Sequence, residues 1–468
     1  MSSGPSRPSR ELVERASREI LRILSPSQLR RDPDALAPFG RDDSDAGEFP
    51  PDLLVFAEST RDVSHVLRSC QELGVPITPV GARTGKSGGS LPVHGGVSLS
   101  LERMNRILSL SPEDLTAVCQ PGVITGDLMR AAEEVGLFYP PDPNSWETCT
   151  LGGNVAENAG GPRALKYGVT GHYVLGLEWV LPSGEVLRVG RRTLKGVAGY
   201  DLVGLFVGSE GTLGIATEIT VKLVPRPRHV KTALVLFRAV ADAARATSLV
   251  LSSGILPAAL ELLDDVAVRA VHGRGYSFPP ETGAAVIVEV DGSDPESLLA
   301  EVARISELCA RESATETLVA IDDSQRERLW SARRSVSPAL RALARHKLSE
   351  DIVVPRSKIQ EVIARMKAVG EELGLSVATY GHAGDGNLHA NVLFDGAHQR
   401  ASVDEAIARM MRIAVEAGGT ITGEHGVGLS KRGFLALEQS PELIALQRRL
   451  KEFFDPRGLL NPGKIFDA

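Results

Sequence analysis

The chain has only four cysteines, Cys70, Cys119, Cys149 and Cys309, and no two of them form a CxxC pair. That spacing excludes a disulfide framework and a thiolate set for an iron–sulfur cluster. The four read as ordinary packed thiols. No run of about eighteen apolar residues occurs, so no membrane-spanning helix is expected. Residues 1–8 are polar and lack the apolar centre of a signal peptide. A formal net charge of −7 excludes nucleic acid as the main partner. The protein is therefore expected in the cytoplasm, reaching the inner face of a membrane only through a partner. There is no internal repeat and no low-complexity linker. At 468 residues the chain can bury the cores of two or three domains.

What the chain does have is glycine in dense clusters. One is Gly381-His382-Ala383-Gly384-Asp385-Gly386-Asn387-Leu388-His389-Ala390-Asn391, followed later by Gly423-Glu424-His425-Gly426. Residues 377–381 and 387–394 read as strands, and the turn formers between them fit a hairpin loop. His382 then faces Asn387. Side chains alternate along a strand, so Tyr380, His382, Asn387, His389 and Asn391 share one face. Two imidazoles on one face can converge on a divalent ion, and Glu424 is the natural third ligand of an open site. His425 beside it is left as a base. Against this, a lone histidine in a turn is usually solvated, and this ligand spacing is not a standard zinc pattern.

A second cluster is Pro79-Val80-Gly81-Ala82-Arg83-Thr84-Gly85-Lys86-Ser87-Gly88-Gly89-Ser90. It is not a P-loop. Only three residues separate Gly81 from Gly85-Lys86-Ser87, where the P-loop needs four, and Gly88-Gly89-Ser90-Leu91-Pro92 cannot open a helix. Backbone amides in such a loop still form a nest for a pyrophosphate, although a plain surface loop is also compatible. Two further segments, Thr150 to Pro162 and Gly199 to Ile215, are equally rich in small residues. They suit a backbone wrapped around a large flat ligand carrying phosphates.

Together these segments resemble the FAD-linked oxidases of the vanillyl-alcohol oxidase type, in the D-2-hydroxy-acid dehydrogenase branch. That branch includes the glycolate oxidase flavoprotein subunit, D-lactate dehydrogenase and D-2-hydroxyglutarate dehydrogenase. The matching motifs are PxGxxTGxxGG at 79–89, TxGGNxAxNAGG at 150–161, GYDL at 199–202, GSEGTLGI at 208–215, GHxGDGNLHxN at 381–391, GEHG at 423–426 and NPGKI at 461–465. They run in order from about Pro51 to Phe466, nearly the whole chain.

The resemblance implies an α+β protein. Residues 1–47 would be an N-terminal helical extension with a disordered tip, a helix from Glu11 to Leu24 and an Asp-rich connector. Residues 48–227 would be an FAD-binding domain of two subdomains, and 228–420 an α+β substrate or cap domain. Residues 421–468 would pack back on the FAD domain. FAD is expected to be non-covalent, because no histidine lies in the glycine loop and His65 and His94 fall outside it.

Carried over position by position, the resemblance implies that FAD is held first by Pro79, Gly81, Ala82, Arg83, Thr84, Gly85, Lys86, Ser87, Gly88 and Gly89. Pro141, Asp142 and Ser145 follow, then Thr150, Gly152, Gly153, Asn154, Ala156, Asn158, Gly160, Gly161 and Tyr167. Glu210, Gly211, Gly214, Ile215 and Asn461 complete the set.

The implied reaction oxidises a D-2-hydroxy acid (D-2-hydroxyglutarate, D-lactate or glycolate) to the 2-oxo acid, with hydride passing to flavin N5. His425 matches the family's base. A divalent metal on His382, His389 and Glu424, zinc first with manganese or iron as the other candidates, would lower the hydroxyl pKa. Arg333 matches the arginine that grips the substrate carboxylate, and Asn391 a substrate contact. Lys347 reads as a solvated charge, and Asn387 as a residue that holds the turn. The electron acceptor would be a quinone, an electron-transfer flavoprotein, a cytochrome or an iron–sulfur subunit, and a homodimer is compatible.

There are departures. Lys86 stands where relatives often carry an aliphatic residue. Residues 332–355 match poorly beyond Arg333, which leaves the substrate open. Asn391 after His389 resembles the hydroxyglutarate branch more than the glycolate branch. Two other functions fit the same fold: a flavin-dependent ether-lipid-type synthase, and a non-catalytic flavin electron-transfer subunit.

Overall fold

The computed structural model describes residues 6–274 and 277–466. Of the expected disordered tip, residues 1–5 lie outside the described residues. The chain divides into two compact units. The first comprises the described residues of Met1–Ala159, Val169–Arg226 and Glu424–Ala468, and the second Gly160–Gly168 and Pro227–Gly423.

The first unit is built on two main sheets. In one, Leu53–Phe56, Val97–Ser100 and Ile77–Val80 run parallel, and Leu29–Arg30 adds an antiparallel edge. All four residues of Leu53–Phe56 and of Val97–Ser100 are buried, as parallel strands covered on both faces require. The crossover helix Thr60–Leu73 starts at Ser59, whose hydroxyl accepts from the Asp62 amide, and stops at Gly74 with φ 76°. Its apolar stripe, Val63, Val66, Leu67 and Cys70, faces this sheet's core together with Ala16 and Ile20. The other sheet is antiparallel, in the order Ile107–Ser111, Thr116–Cys119, Ile215–Lys222, Val174–Val180 and Val186–Gly190. The N-terminal helix runs Arg10–Ile20, shorter than expected from the sequence. Beyond it Leu21, Arg22 and Ile23 form turns, and Pro26 follows, which lacks the amide a helix needs.

The second unit is one seven-stranded antiparallel sheet. Its order is Ala314–Val319, His229–Phe237, Ala284–Gly292, Ala259–Asp264, Ser376–His382, Asn387–Phe394 and His346–Val353. The long helices Val240–Ser252, Pro295–Arg311, Ile359–Leu373 and Arg400–Glu416 pack on it. Gly370 lies so close to Val377 that a Cβ there would come within 2.5 Å of its side chain, which places the helix Ile359–Leu373 on the Val377 face. Tyr380 and His382 differ from Val377 in parity, so they point to the opposite face. Onto that face fold the shorter helices Asp323–Arg334 and Val336–Arg341. Among the described residues no helix is long and apolar enough to cross a membrane.

Candidate functional sites

A cavity of about 630 Å³ opens in the first unit. The sequence-expected residues that line it are Pro79, Gly81, Ala82, Arg83, Thr84, Gly85, Lys86 and Gly89, then Ser145, Thr150, Gly152, Gly153, Asn154 and Ala156. Glu210, Gly211, Gly214, Ile215 and Asn461 complete them, joined by Glu424 and His425. Two glycines let the segments that line it pack closely on one another. An added Cβ at Gly81 would come within 2.5 Å of the Thr150 hydroxyl, and one at Gly214 within 2.1 Å of the Trp179 ring. No helix follows the glycine loop, as its composition predicts.

Other expected residues sit elsewhere. The Ser87 carbonyl accepts the Leu429 amide at 2.7 Å, and a Cβ on Gly88 would touch Leu429, so these two hold the C-terminal segment. Asn158, with φ 53°, caps the helix Leu151–Glu157, and its side chain accepts from the Gly171 amide. Pro141 and Asp142 belong to the first unit outside the cavity lining. Gly160, Gly161 and Tyr167 group with the second unit, where the Tyr167 hydroxyl donates to Asp291 at 2.7 Å.

The position of His425 is fixed from beneath. Glu210 is buried, and its carboxylate accepts the amides of Val427 at 2.8 Å and Gly428 at 2.7 Å. Burial raises its pKa against the pull of those amides. Asn461 donates to the carbonyls of Gly89 and Glu210, which ties the NPGKI segment to the glycine loop. The segment carrying His425 is thus bolted to the cavity wall.

In the second unit the hairpin forms in the expected register, with His382 opposite Asn387 and Tyr380 opposite His389. The His382 and His389 rings are 5.4 Å apart, and Tyr380 lies 5.2 Å from His389. His382 Nδ1 lies 2.6 Å from Glu261 Oε1, which directs its Nε2 away from the carboxylate. Arg333, expected as a carboxylate grip, is buried and paired with Glu261 at 2.6 Å, and its guanidinium lies over Tyr380. Asn391 is fully buried and accepts from Lys347 Nζ at 3.2 Å. Lys347 is not the solvated charge read from the sequence. It is 8% exposed and also donates to Ser337 at 2.7 Å, because its strand, at the edge of the sheet beside Asn387–Phe394, is covered by the helix Val336–Arg341. Asp351, buried opposite His389, accepts the Gly423 amide at 2.6 Å, and a Cβ on Gly423 would collide with Asn387. The chain leaves Gly423 for Glu424 from this point.

Sequence reasoning missed Glu261 and Asp351. Glu261 is an acid set among apolar residues in a buried strand, and that contrast was the available signal, whereas Asp351 sits in a polar stretch that carried none. It also passed over Arg41, Asp42 and Asp43, which line the cavity of the first unit. The four cysteines are buried, and burial raises the thiol pKa of Cys70, Cys119 and Cys309 to about 12.

Comparison with known proteins gives two family matches. Residues 51–190 match the FAD binding domain, and residues 226–465 match the C-terminal domain of the FAD linked oxidases. The glycolate oxidase subunit GlcD of Bacillus subtilis (strain 168) is 43% identical over 419 residues, covering 89% of this chain and 89% of that protein. A D-lactate dehydrogenase of Anaerostipes hadrus is 37% identical, covering 90% of each chain. Among solved structures, p-cresol methylhydroxylase with substrate bound aligns with a TM-score of 0.82 at 18% identity, covering 100% of this chain and 99% of that one. Alkyldihydroxyacetonephosphate synthase aligns with a TM-score of 0.76 at 21% identity, covering 99% and 87%. The structural likenesses establish the fold.

Proposed function

The chain belongs to the FAD-linked oxidases, in their D-2-hydroxy-acid branch, and from that premise we propose that it oxidises a D-2-hydroxy acid to the 2-oxo acid with the help of a divalent metal. It is an FAD-dependent hydroxy-acid oxidoreductase. The observation that carries the finer reading is that His425 lines the same cavity as the glycine-rich loops. A base is therefore held at the wall of the cofactor site.

FAD, when bound, supplies the hydride acceptor. The chain's own groups do the rest. His425 takes the hydroxyl proton. Arg333 meets the carboxylate, and its pairing with Glu261 keeps the guanidinium in one orientation. The family resemblance makes His382, His389 and Glu424 the ligands, and two imidazole nitrogens with a carboxylate oxygen suit zinc and would equally take manganese or iron. The Glu261–His382 contact supports this reading, since a carboxylate behind a ligating histidine fixes its tautomer and raises its basicity. Such an ion would polarise the substrate hydroxyl.

The relatives' names favour glycolate or D-lactate as substrate. Lys347 adds a second buried cation beside Asn391, which favours an acid with a second carboxylate, such as D-2-hydroxyglutarate. Electrons pass on to a separate acceptor: a quinone, an electron-transfer flavoprotein, a cytochrome or an iron–sulfur subunit. The protein works in the cytoplasm or, through that partner, at the inner face of a membrane.

The test is the visible spectrum of the purified protein under anaerobic conditions, before and after D-2-hydroxyglutarate, D-lactate and glycolate. Bleaching of the oxidised-flavin bands by one of these acids, abolished by a chelator and restored by zinc or manganese, is the expected result. Flavin bands that no acid bleaches would overturn the assignment. Bleaching indifferent to chelation would remove the metal from it.

A further inference from the structure

Among the described residues, seven that are not glycine have a positive φ, and three of them, Arg83, Glu210 and Asn461, line the cavity of the first unit. Asparagine visits this region readily, but arginine does not. Arg83, at φ 62°, sits between Gly81 and Gly85 in a loop where glycine would adopt the same backbone without strain. Strain of this kind persists where a side chain is needed.

The side chain shows what for. The Arg83 guanidinium lies over the Phe39 ring, 4.1 Å from its centroid. Its Nη1 is buried and makes no hydrogen bond, and Glu102 is 3.9 Å away, beyond hydrogen-bond reach. A buried cationic N–H without an acceptor is costly unless a ligand supplies one.

Phe39 belongs to the segment ahead of the first parallel strand, which so far has no role. The same segment gives the cavity Arg41, Asp42 and Asp43. The Asp43 amide donates to the Gly85 carbonyl at 3.1 Å, and the Asp43 carboxylate pairs with Lys86. The two cations of the loop are thus treated differently. Lys86 is latched to a carboxylate, and Arg83, a residue of the cavity lining, is braced on an aromatic ring.

We infer that residues 39–43 are a working wall of the flavin site, whose Phe39 holds Arg83 as the side-chain cation for the FAD diphosphate while Asp43 takes Lys86 out of that role. The inference rests on the reading of the glycine loop as the pyrophosphate cradle.

The experiment follows FAD release from the purified holoprotein on dilution, by flavin fluorescence, at low and high salt. Arg83→Gly keeps the backbone conformation accessible. It should release FAD about tenfold faster or more, with a weaker dependence on salt. The flavin-free Arg83→Gly protein should melt no lower than the flavin-free native one, which a merely structural arginine would not allow. Phe39→Leu should shift release in the same direction by less, and Lys86→Met should change it little. Native release from Arg83→Gly overturns the inference. So does a larger effect from Lys86→Met than from Arg83→Gly, or native release from Phe39→Leu. Gly85→Asp separates the underlying reading. A Cβ at Gly85 meets nothing within 4 Å, so the loop can carry a side chain there without a clash at the backbone. If that variant keeps its FAD, the cradle reading itself fails.

Discussion

Glu261 Oε1 lies 2.6 Å from Nδ1 of His382, across a separation of 121 residues. The same carboxylate takes the Arg333 guanidinium at 2.6 Å. Burial alone would raise the Glu261 pKa, but the charges of His382 and Arg333 outweigh it and bring it to about 2. One buried anion therefore orients both the proposed metal ligand and the proposed carboxylate grip. Glu261→Gln should lower metal affinity by about 10–100-fold, the usual effect of removing a carboxylate behind a ligating histidine. Metal content after dialysis against a competing chelator measures this. Native metal retention would separate Glu261 from the metal and leave it as a support for Arg333 alone.

His425 lines the cofactor cavity, and Glu210 holds the amides just after it. His425→Ala should lower kcat by about 10²–10⁴-fold, the span of a lost general base. The flavin spectrum should stay native, because the segment is anchored through its backbone. Stopped-flow flavin reduction checks this directly. Reduction within a few-fold of the native rate would rule His425 out as the base.

The hairpin carrying His382 and His389 was legible because it is local. Alternation and the turn formers between 382 and 387 set its register, and Ser376–His382 pairs with Asn387–Phe394 as read. The helices Pro295–Arg311 and Pro441–Phe454 were equally plain, each opened by a capping Asp294 or Ser440 and a proline. What could not be read depends on distant pairing. Lys347 looked solvated because its own segment is polar. Its burial comes from the helix Val336–Arg341, which covers its edge strand beside Asn387–Phe394. Residues 39–43 looked like a polar connector because composition does not show which wall a connector covers. The Glu261 role needs a contact across the sheet that no local pattern encodes.

Lys347 is a buried amine hydrogen-bonded to Ser337 and Asn391. If it meets a second carboxylate, Lys347→Met should raise KM for D-2-hydroxyglutarate by about 10–100-fold, the value of a charge-assisted hydrogen bond. KM for D-lactate should change far less. Parallel steady-state kinetics on the two acids make the comparison. Equal losses on both would mean that Lys347 supports the sheet rather than selects the substrate.

Lys464 is buried in the first unit, donating to the Leu91 carbonyl at 2.7 Å and to Asn461 at 3.1 Å. Burial lowers its pKa to about 7 from the ordinary 10.5, although the charges of Glu210 and Asp42 pull upward. In the folded protein it gives up its proton near pH 7, while the unfolded chain keeps that proton up to 10.5. Between those values the unfolded state binds more protons, so this group makes stability rise with pH. Its contribution is at most about 1.4 kcal/mol per pH unit. Below pH 7 both states are protonated and the contribution is flat at its least favourable value. Lys464→Met should abolish that rise, so the difference in Tm between native and variant should change across the window and level off below it. A pH-independent difference would mean that Lys464 stays charged in the fold, paired with Glu210.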